Sequence, residues 1–309
     1  MRIWMSVLLS VPALAQNGPP VDPPMAGLHL TREQAQAQAK AANGAGPNSS
    51  PNLIYHGGPI LNTTAAGAIF WGPSWANPSF VGDKITGIDS WYAGVTKSDY
   101  ARTSDEYTDS TGQQVTASIG YLGYTIDTST AANGSKTSDI LNEACKILAN
   151  GKLQAVRNGF YAVYVDVPRG HTRYCAYHSA GSCTLNGSSL PVEFGFYFNL
   201  DGDAGCDPQD TSGLHSQGLA ALANVSGHEL SETRSDPSLN AWYDSSGNEN
   251  ADKCAWTFGG SLLKFSNNTY WKIQGNWSNT AYNAGSGYLN NSSQPGCIDG
   301  SKQYPAVAP

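Results

Sequence analysis

The sequence predicts a mixed α/β (α+β) fold: one domain with a central sheet packed by a few helices, spanning residues 51–309. Short apolar runs of strand type alternate loosely with segments of helical spacing, the pattern of a sheet covered by helices. The 309-residue length suits one or two domains with a full-sized core. No internal repeat divides the chain.

The N-terminus reads as an export signal. Arg2 precedes an apolar run over residues 3–14, and Ala13, Leu14 and Ala15 form an A-x-A cleavage site, so residues 1–15 are expected to be a signal peptide. Residues 16–50 are expected to be a flexible leader or short propeptide. They hold a Pro-rich start, a helix-forming run at 31–40 (TREQAQAQAK) capped by Thr31, and an Ala/Gly/Asn/Ser/Pro-rich linker. The 31–40 run lacks an apolar stripe to dock it.

Within the domain, residues 53–55 form a short strand candidate and residues 65–71 (AAGAIFW) a buried strand. Asn77 and Pro78 open a helix expected to run to Val95, with Phe80, Ile85, Ile88, Trp91 and Tyr92 at helical spacing. Residues 121–126 alternate as a strand. Ser138 and Asp139 cap a helix over 140–149, and residues 160–167 (FYAVYVDV) and 192–200 (VEFGFYFNL) are the clearest strands. Residues 214–225 (LHSQGLAALANV) lead into the most informative helix, for which Thr211 or Ser212 is the expected cap. Short strands around Tyr270 and Trp277 complete the last third.

That helix carries Ser226-Gly227-His228-Glu229-Leu230-Ser231-Glu232. His228 and Glu232 stand four residues apart on one helical face, and Gly218, Ala221 and Val225 place that face toward the core. A buried imidazole and carboxylate need partners. Either a shared cation pairs them, or they pair with each other. Glu229 lies about 100° round the helix, where a general base stands. This is the logic of the H-E-x-x-H metallopeptidase helix with Glu in place of the second His.

A third ligand is required, and Glu249 and Asp252, 17 and 20 residues after Glu232, are the candidates. Asp236 and Asp244 read as turn residues. Zinc is the expected ion, with calcium or another hard cation as the alternative because the set is rich in carboxylate. Residues 201–207 (DGDAGCD) resemble the start of a calcium loop, but Ser212 stands where an EF-hand requires Glu.

Six cysteines, Cys145, Cys175, Cys183, Cys206, Cys254 and Cys297, read as three disulfides of an exported chain, with Cys254–Cys297 and Cys175–Cys183 as the expected pairs. His178 is expected in a cysteine-bounded loop, where it either lines a site or is simply exposed, the latter favoured. His56 with Gly57 and Gly58 reads as a tight turn, and the absence of G-x-S-x-G disfavours a lipase-like serine hydrolase. Trp242, Tyr243, Trp256, Trp271 and Trp277 are expected as core and wall, or as a sugar- or peptide-binding cleft. The net charge of −7 gives no reason to expect nucleic acid, and no run reaches the roughly 20 apolar residues of a membrane span.

Residues 55–61 (YHGGPIL) and 68–72 (AIFWG) resemble the start of the phosphate-induced protein 1, or EXORDIUM-like, family of secreted proteins. Residues 175–178 and 205–223 resemble its middle. Residues 227–237 (GHELSETRSDP), 241–244, 249–254 and 277–279 resemble its bacterial members. The resemblance implies an extracellular or wall-associated protein. Plant members generally lack the His-Glu pair, so it leaves two expectations. One is a secreted zinc-dependent, peptidase-like hydrolase, with Glu229 as catalytic base and an extracellular peptide or cell-wall substrate. The other is a non-catalytic protein binding wall carbohydrate or a partner.

Overall fold

The computed structural model describes residues 22–43, 50–260 and 262–302. The expected signal peptide and residues 16–21 of the leader lie outside the described residues. The chain opens with strand β1 (Ala26–Leu30) and helix α1 (Arg32–Asn43), followed by β2 (Ile54–Tyr55) and β3 (Thr64–Trp71). Helices α2 (Pro78–Val81) and α3 (Lys84–Val95) precede β4 (Ile119–Asp127). Helix α4 (Thr137–Ala149) precedes β5 (Gly159–Pro168), β6 (Tyr174–Leu185) and β7 (Ser188–Asn199). Helix α5 (Gln217–Ser235) follows. The remainder consists of short pieces: β8 (Trp242–Tyr243), β9 (Leu263–Lys264), β10 (Tyr270–Trp271), β11 (Asn276–Trp277), α6 (Asn279–Asn283) and β12 (Cys297–Ile298).

Six strands form one sheet in the order β1-β6-β7-β5-β3-β4. Strands β4, β3, β5 and β7 are mutually parallel, whereas β6 is antiparallel to both β7 and β1. The fold is therefore the expected mixed α/β domain. The inner parallel strands are apolar on both faces, as for residues Phe160 to Val165, because helices cover both. Helix α4 packs on one face, where Cys145 reaches Cys183 of β6. Helices α3 and α5 pack on the other, joined to the sheet by the chain Tyr92 OH–Tyr164 OH (3.0 Å) and Tyr164 OH–Ser226 Oγ (2.6 Å).

The structure corrects several local expectations. The helix expected from Pro78 to Val95 is broken at Gly82 into α2 and α3, with Asn77 accepting from Ser79 N at 3.0 Å. Helix α5 begins at Ser216, whose hydroxyl accepts from Leu219 N, rather than at Thr211 or Ser212. Residues 174–185 form a full strand, not a loop. The leader expected to be free contributes β1 to the sheet edge through its residues 26–30, and Thr31 N bonds Arg173 O at 2.9 Å.

Cysteine pairing is likewise settled by the sheet. Cys254–Cys297 forms as expected, but Cys175 pairs with Cys206 and Cys183 with Cys145. Cys175 and Cys183 sit eight residues apart along β6, a separation of roughly 26 Å at strand rise, far beyond disulfide reach.

Glu193 on β7 is a local cost of this packing. It is 8% exposed, its Oε2 has no partner, and burial pushes its carboxyl up to about 8. Between the ordinary carboxyl range and about 8, the folded chain holds a proton that the unfolded chain releases. Its contribution to stability therefore falls as pH rises through that window. Glu193→Gln is expected to raise the melting temperature more at pH 8.5 than at pH 5, and equal shifts at both pH values would contradict this.

Candidate metal centre

Helix α5 is buried along nearly its whole length, which explains its composition of small and apolar residues. Gly227 is required by close packing, since a Cβ there would lie 2.7 Å from Tyr100 OH and 2.8 Å from Ile273 Cγ2. The face opposite the cluster is anchored by polar contacts. Arg234 donates to the carbonyls of Ala101 (3.0 Å) and Thr116 (2.7 Å), and Asn276 Nδ2 donates to Ser231 Oγ (3.0 Å).

The inward face presents His228, Glu229 and Glu232, all fully buried. His228 Nε2 lies 3.1 Å from Glu232 Oε2. The loop after β8 brings both downstream carboxylates to the cluster. Asp252 Oδ1 lies 3.6 Å from His228 Nε2, and Asp252 N donates to Glu232 Oε1 at 2.9 Å. Glu249 Oε2 lies 3.3 Å from the ring of His178. The Cys254–Cys297 disulfide and the bond from Trp277 N to Asn250 O (2.8 Å) hold this loop in place.

Two histidines complete the cluster: His178, for which the sequence favoured exposure over lining a site, and His29, which was not recognised. His178 is fully buried on β6, with Nε2 3.8 Å from Glu232 Oε2, so the expectation of an exposed loop residue was wrong. His29 of β1 stacks on His228 at 4.0 Å and 7°, and packs against Trp256 at 4.6 Å. The alternation of small and polar residues around His178 was the available signal. Around His29 only the short apolar run at 25–30 hinted at a strand.

Burial depresses the imidazoles: His228 and His178 fall to about 3, the latter also through its proximity to His228, and His29 lies well below its usual range. The carboxyls of Glu229, Glu232, Glu249 and Asp252 are all pushed up, first by burial; the charge of Glu232 then raises Glu229, Glu249 and Asp252, while that of Asp236 raises Glu232. The cations of this region are engaged elsewhere, with Lys253 on Asp244 at 2.8 Å and Arg234 on backbone carbonyls.

This donor set fits a metal ion. His29 (both ring nitrogens), His178 Nδ1, His228 Nε2, Glu229 (both oxygens), Glu232 Oε2 and Glu249 Oε1 are buried without hydrogen-bond partners. Such atoms are costly unless something else satisfies them. Three trios have ligand atoms within 4.8 Å of one another: His29, His228 and Glu229; His178, Glu229 and Glu232; and His228, Glu232 and Asp252. The spacings of 3.1 to 3.8 Å bracket the roughly 3.3 Å edge of a tetrahedron with bonds of about 2.0 Å.

Gln274 sets the tautomer of His228. Its Oε1 accepts from Trp256 N (3.0 Å) and its Nε2 donates to Ala251 O (2.9 Å), so its second N–H points at His228 Nδ1 (3.0 Å). Nδ1 is then an acceptor, and the ring proton resides on Nε2 in the ion-free state. Nitrogen-15 shifts of metal-free protein are expected to show the Nε2–H tautomer at His228. An Nδ1–H signal would contradict this assignment.

Other expectations resolve without a ligand. Asp236 accepts from Asn240 N and Ala241 N, and Asp244 from Ser246 N and Asn248 N, as turn residues do. The loop likened to a calcium site is neutralised by cations: Asp201 pairs with Lys84, and Asp203 forms a bidentate pair with Arg169 at 2.6 and 3.0 Å. His56 stacks on Tyr243 beside a turn at Gly57 (φ +94°). Trp256, Trp271 and Trp277 are buried, whereas Trp242 and Tyr243 are half-buried.

No protein-family model matches the chain, and no solved structure matches it. Among curated proteins it is similar to Protein EXORDIUM-like 5 of Arabidopsis thaliana, 26% identical over 222 residues. This supports an EXORDIUM-like family assignment. The match spans 64% of this chain and 61% of the relative's length. An EXORDIUM-like assignment agrees with the resemblance read from the sequence motifs. With three disulfides, and no helix among the described residues long and apolar enough to cross a membrane, it fits an extracellular protein.

Proposed function

We propose that this chain is a secreted metal-dependent hydrolase, peptidase-like in its chemistry, with zinc as the expected ion. The single observation that carries the reading is the buried cluster on α5, in which unpartnered imidazole and carboxylate atoms converge without a cationic side chain to balance them. His228, Glu232 and Asp252, whose ligand atoms lie within 4.8 Å of one another, would hold the ion, with His178 and Glu249 beside Glu232. Bound there, a zinc ion acts as a Lewis acid toward a carbonyl and makes a coordinated water more acidic.

The chain's own residues supply the rest. Glu229 stands outside the His228, Glu232 and Asp252 set and has both oxygens free. Beside a bound cation it would stand as the group that takes a proton from the attacking water and returns it to the leaving amine. His228 must shift its proton from Nε2 to Nδ1 on loading, and Gln274 must then give up its contact with Nδ1. Elemental analysis of protein purified without chelator tests the reading. About one equivalent of zinc, with peptide hydrolysis lost on chelation and restored by zinc, is expected; an ion-free chain would remove the proposal.

A second reading, a structural ion in a non-catalytic secreted protein, is favoured by one observation. Every member of the cluster except the partly exposed Asp252 is sealed from solvent. The two readings part on whether Glu229 affects turnover or only packing.

A further inference from the structure

The seal over the cluster is made largely by one segment, and its mode of attachment is informative. Residues 22–32 cross the site, with Ala26–Leu30 as strand β1 and Arg32 already opening α1. β1 pairs with β6 antiparallel, Ala26 opposite His178, His29 opposite Ala176 and Leu30 opposite Tyr174, with the register shifting between Ala26 and His29 and again between His29 and Leu30. Much of the attachment is through backbone. Ser179 Oγ donates to Pro24 O (2.6 Å), Thr137 Oγ1 to Pro23 O and Trp256 Nε1 to Leu30 O (2.7 Å). Main-chain capture of this kind accepts many sequences.

At the register break the chain touches the cluster itself. Gly27 adopts φ +43°, and a Cβ on it would fall 2.2 Å from His178 Cδ2 and 2.4 Å from Glu232 Oε2. Only a backbone without a side chain passes there. Two residues later His29 covers His228 and lies beside Glu229. Beyond it, α1 is mostly exposed and buries only Ala35 of its apolar residues described, so the segment's apolar hold on the core comes from Met25, Leu28 and Leu30 rather than from the helix.

We propose that the β6 edge is the binding groove for an extended polypeptide, and that residues 22–32 are its resident occupant, lying where a substrate strand would lie. A substrate would enter antiparallel to β6 with glycine against His178 and Glu232, and only after the resident strand has left. The chemistry that follows rests on the hydrolase reading above; the groove itself does not.

The test uses the full chain carrying Glu229→Gln, so that bound peptide is not consumed, with a site-specific protease sequence inserted between residues 43 and 50. The probe is a fluorescent peptide of residues 22–32 (DPPMAGLHLTR), followed by anisotropy before and after cleavage and removal of the N-terminal piece. Binding is expected at least ten-fold tighter after removal, because the tethered strand no longer competes. A probe with Gly27→Val is expected to bind at least ten-fold more weakly than the parent. Absence of binding after removal, or equal binding of both probes, overturns the groove.

Zinc content of the same samples separates the two ideas. Peptide binding without zinc sinks the hydrolase reading and leaves the groove, whereas zinc without peptide binding does the reverse. Should cleaved protein fail to stay folded, Gly27→Val in the intact chain serves instead. Hydrogen exchange is expected to speed up only at residues 26–30 and 174–178. Global unfolding of that variant, or unchanged protection, overturns the proposal.

Discussion

Glu229→Gln is expected to keep the metal and to lower peptide hydrolysis about 10³-fold, the scale on which a positioned general base contributes. Glu229 stands one residue from His228 on the buried face of α5, both its carboxylate oxygens are free, and burial together with Glu232 and Asp252 raises its proton affinity. The amide of Gln occupies nearly the same volume but cannot take a proton. A purely structural Glu229 predicts the opposite pattern: unchanged turnover in any protein that folds. Metal content measured on the same preparations distinguishes loss of the base from loss of the ion.

Stripping the ion is expected to lower the melting temperature by about 10 °C. Zinc present at about 1,000 times its dissociation constant stabilises by roughly 4 kcal/mol, and for a domain of this size 1 kcal/mol corresponds to about 2–4 °C. Without the ion, Glu232 Oε2, Glu249 Oε1, His178 Nδ1 and His228 Nε2 have no hydrogen-bond partner. His228→Ala and Glu232→Ala are each expected to abolish stoichiometric zinc. Asp252→Asn and Glu249→Gln are expected to weaken it unequally, and the larger loss identifies the remaining ligand. A melting temperature indifferent to chelator would show that the cluster holds no ion.

Much of the α5 cluster was legible in the sequence because it is local. His228, Glu229 and Glu232 follow helical spacing behind Gly218, Ala221 and Val225, and that spacing alone buries them together. Glu249 and Asp252 were legible as candidates, but they reach the cluster from different sides, Asp252 toward His228 and Glu249 toward His178. His178 was misread because β6 (YCAYHSAGSCTL) is rich in small and polar residues and lacks the apolar run that marked β5. The 26–30 segment was misread because a five-residue edge strand after a Pro-rich stretch has no periodicity to distinguish it from a leader.

By itself the sequence determined the local elements: the buried parallel strands β3, β5 and β7, helix α5 with its three chemical side chains on the core side, and an even set of six cysteines read as three disulfides. Tertiary structure alone decided that His29 and His178 join His228 and Glu232 in one buried cluster, and that Cys175 and Cys183 part to different partners. The physical reason is range. Helical spacing and apolar runs act over a few residues, whereas these meetings join positions dozens to hundreds of residues apart, and the pairing of β6 with β7 and β1 selects them.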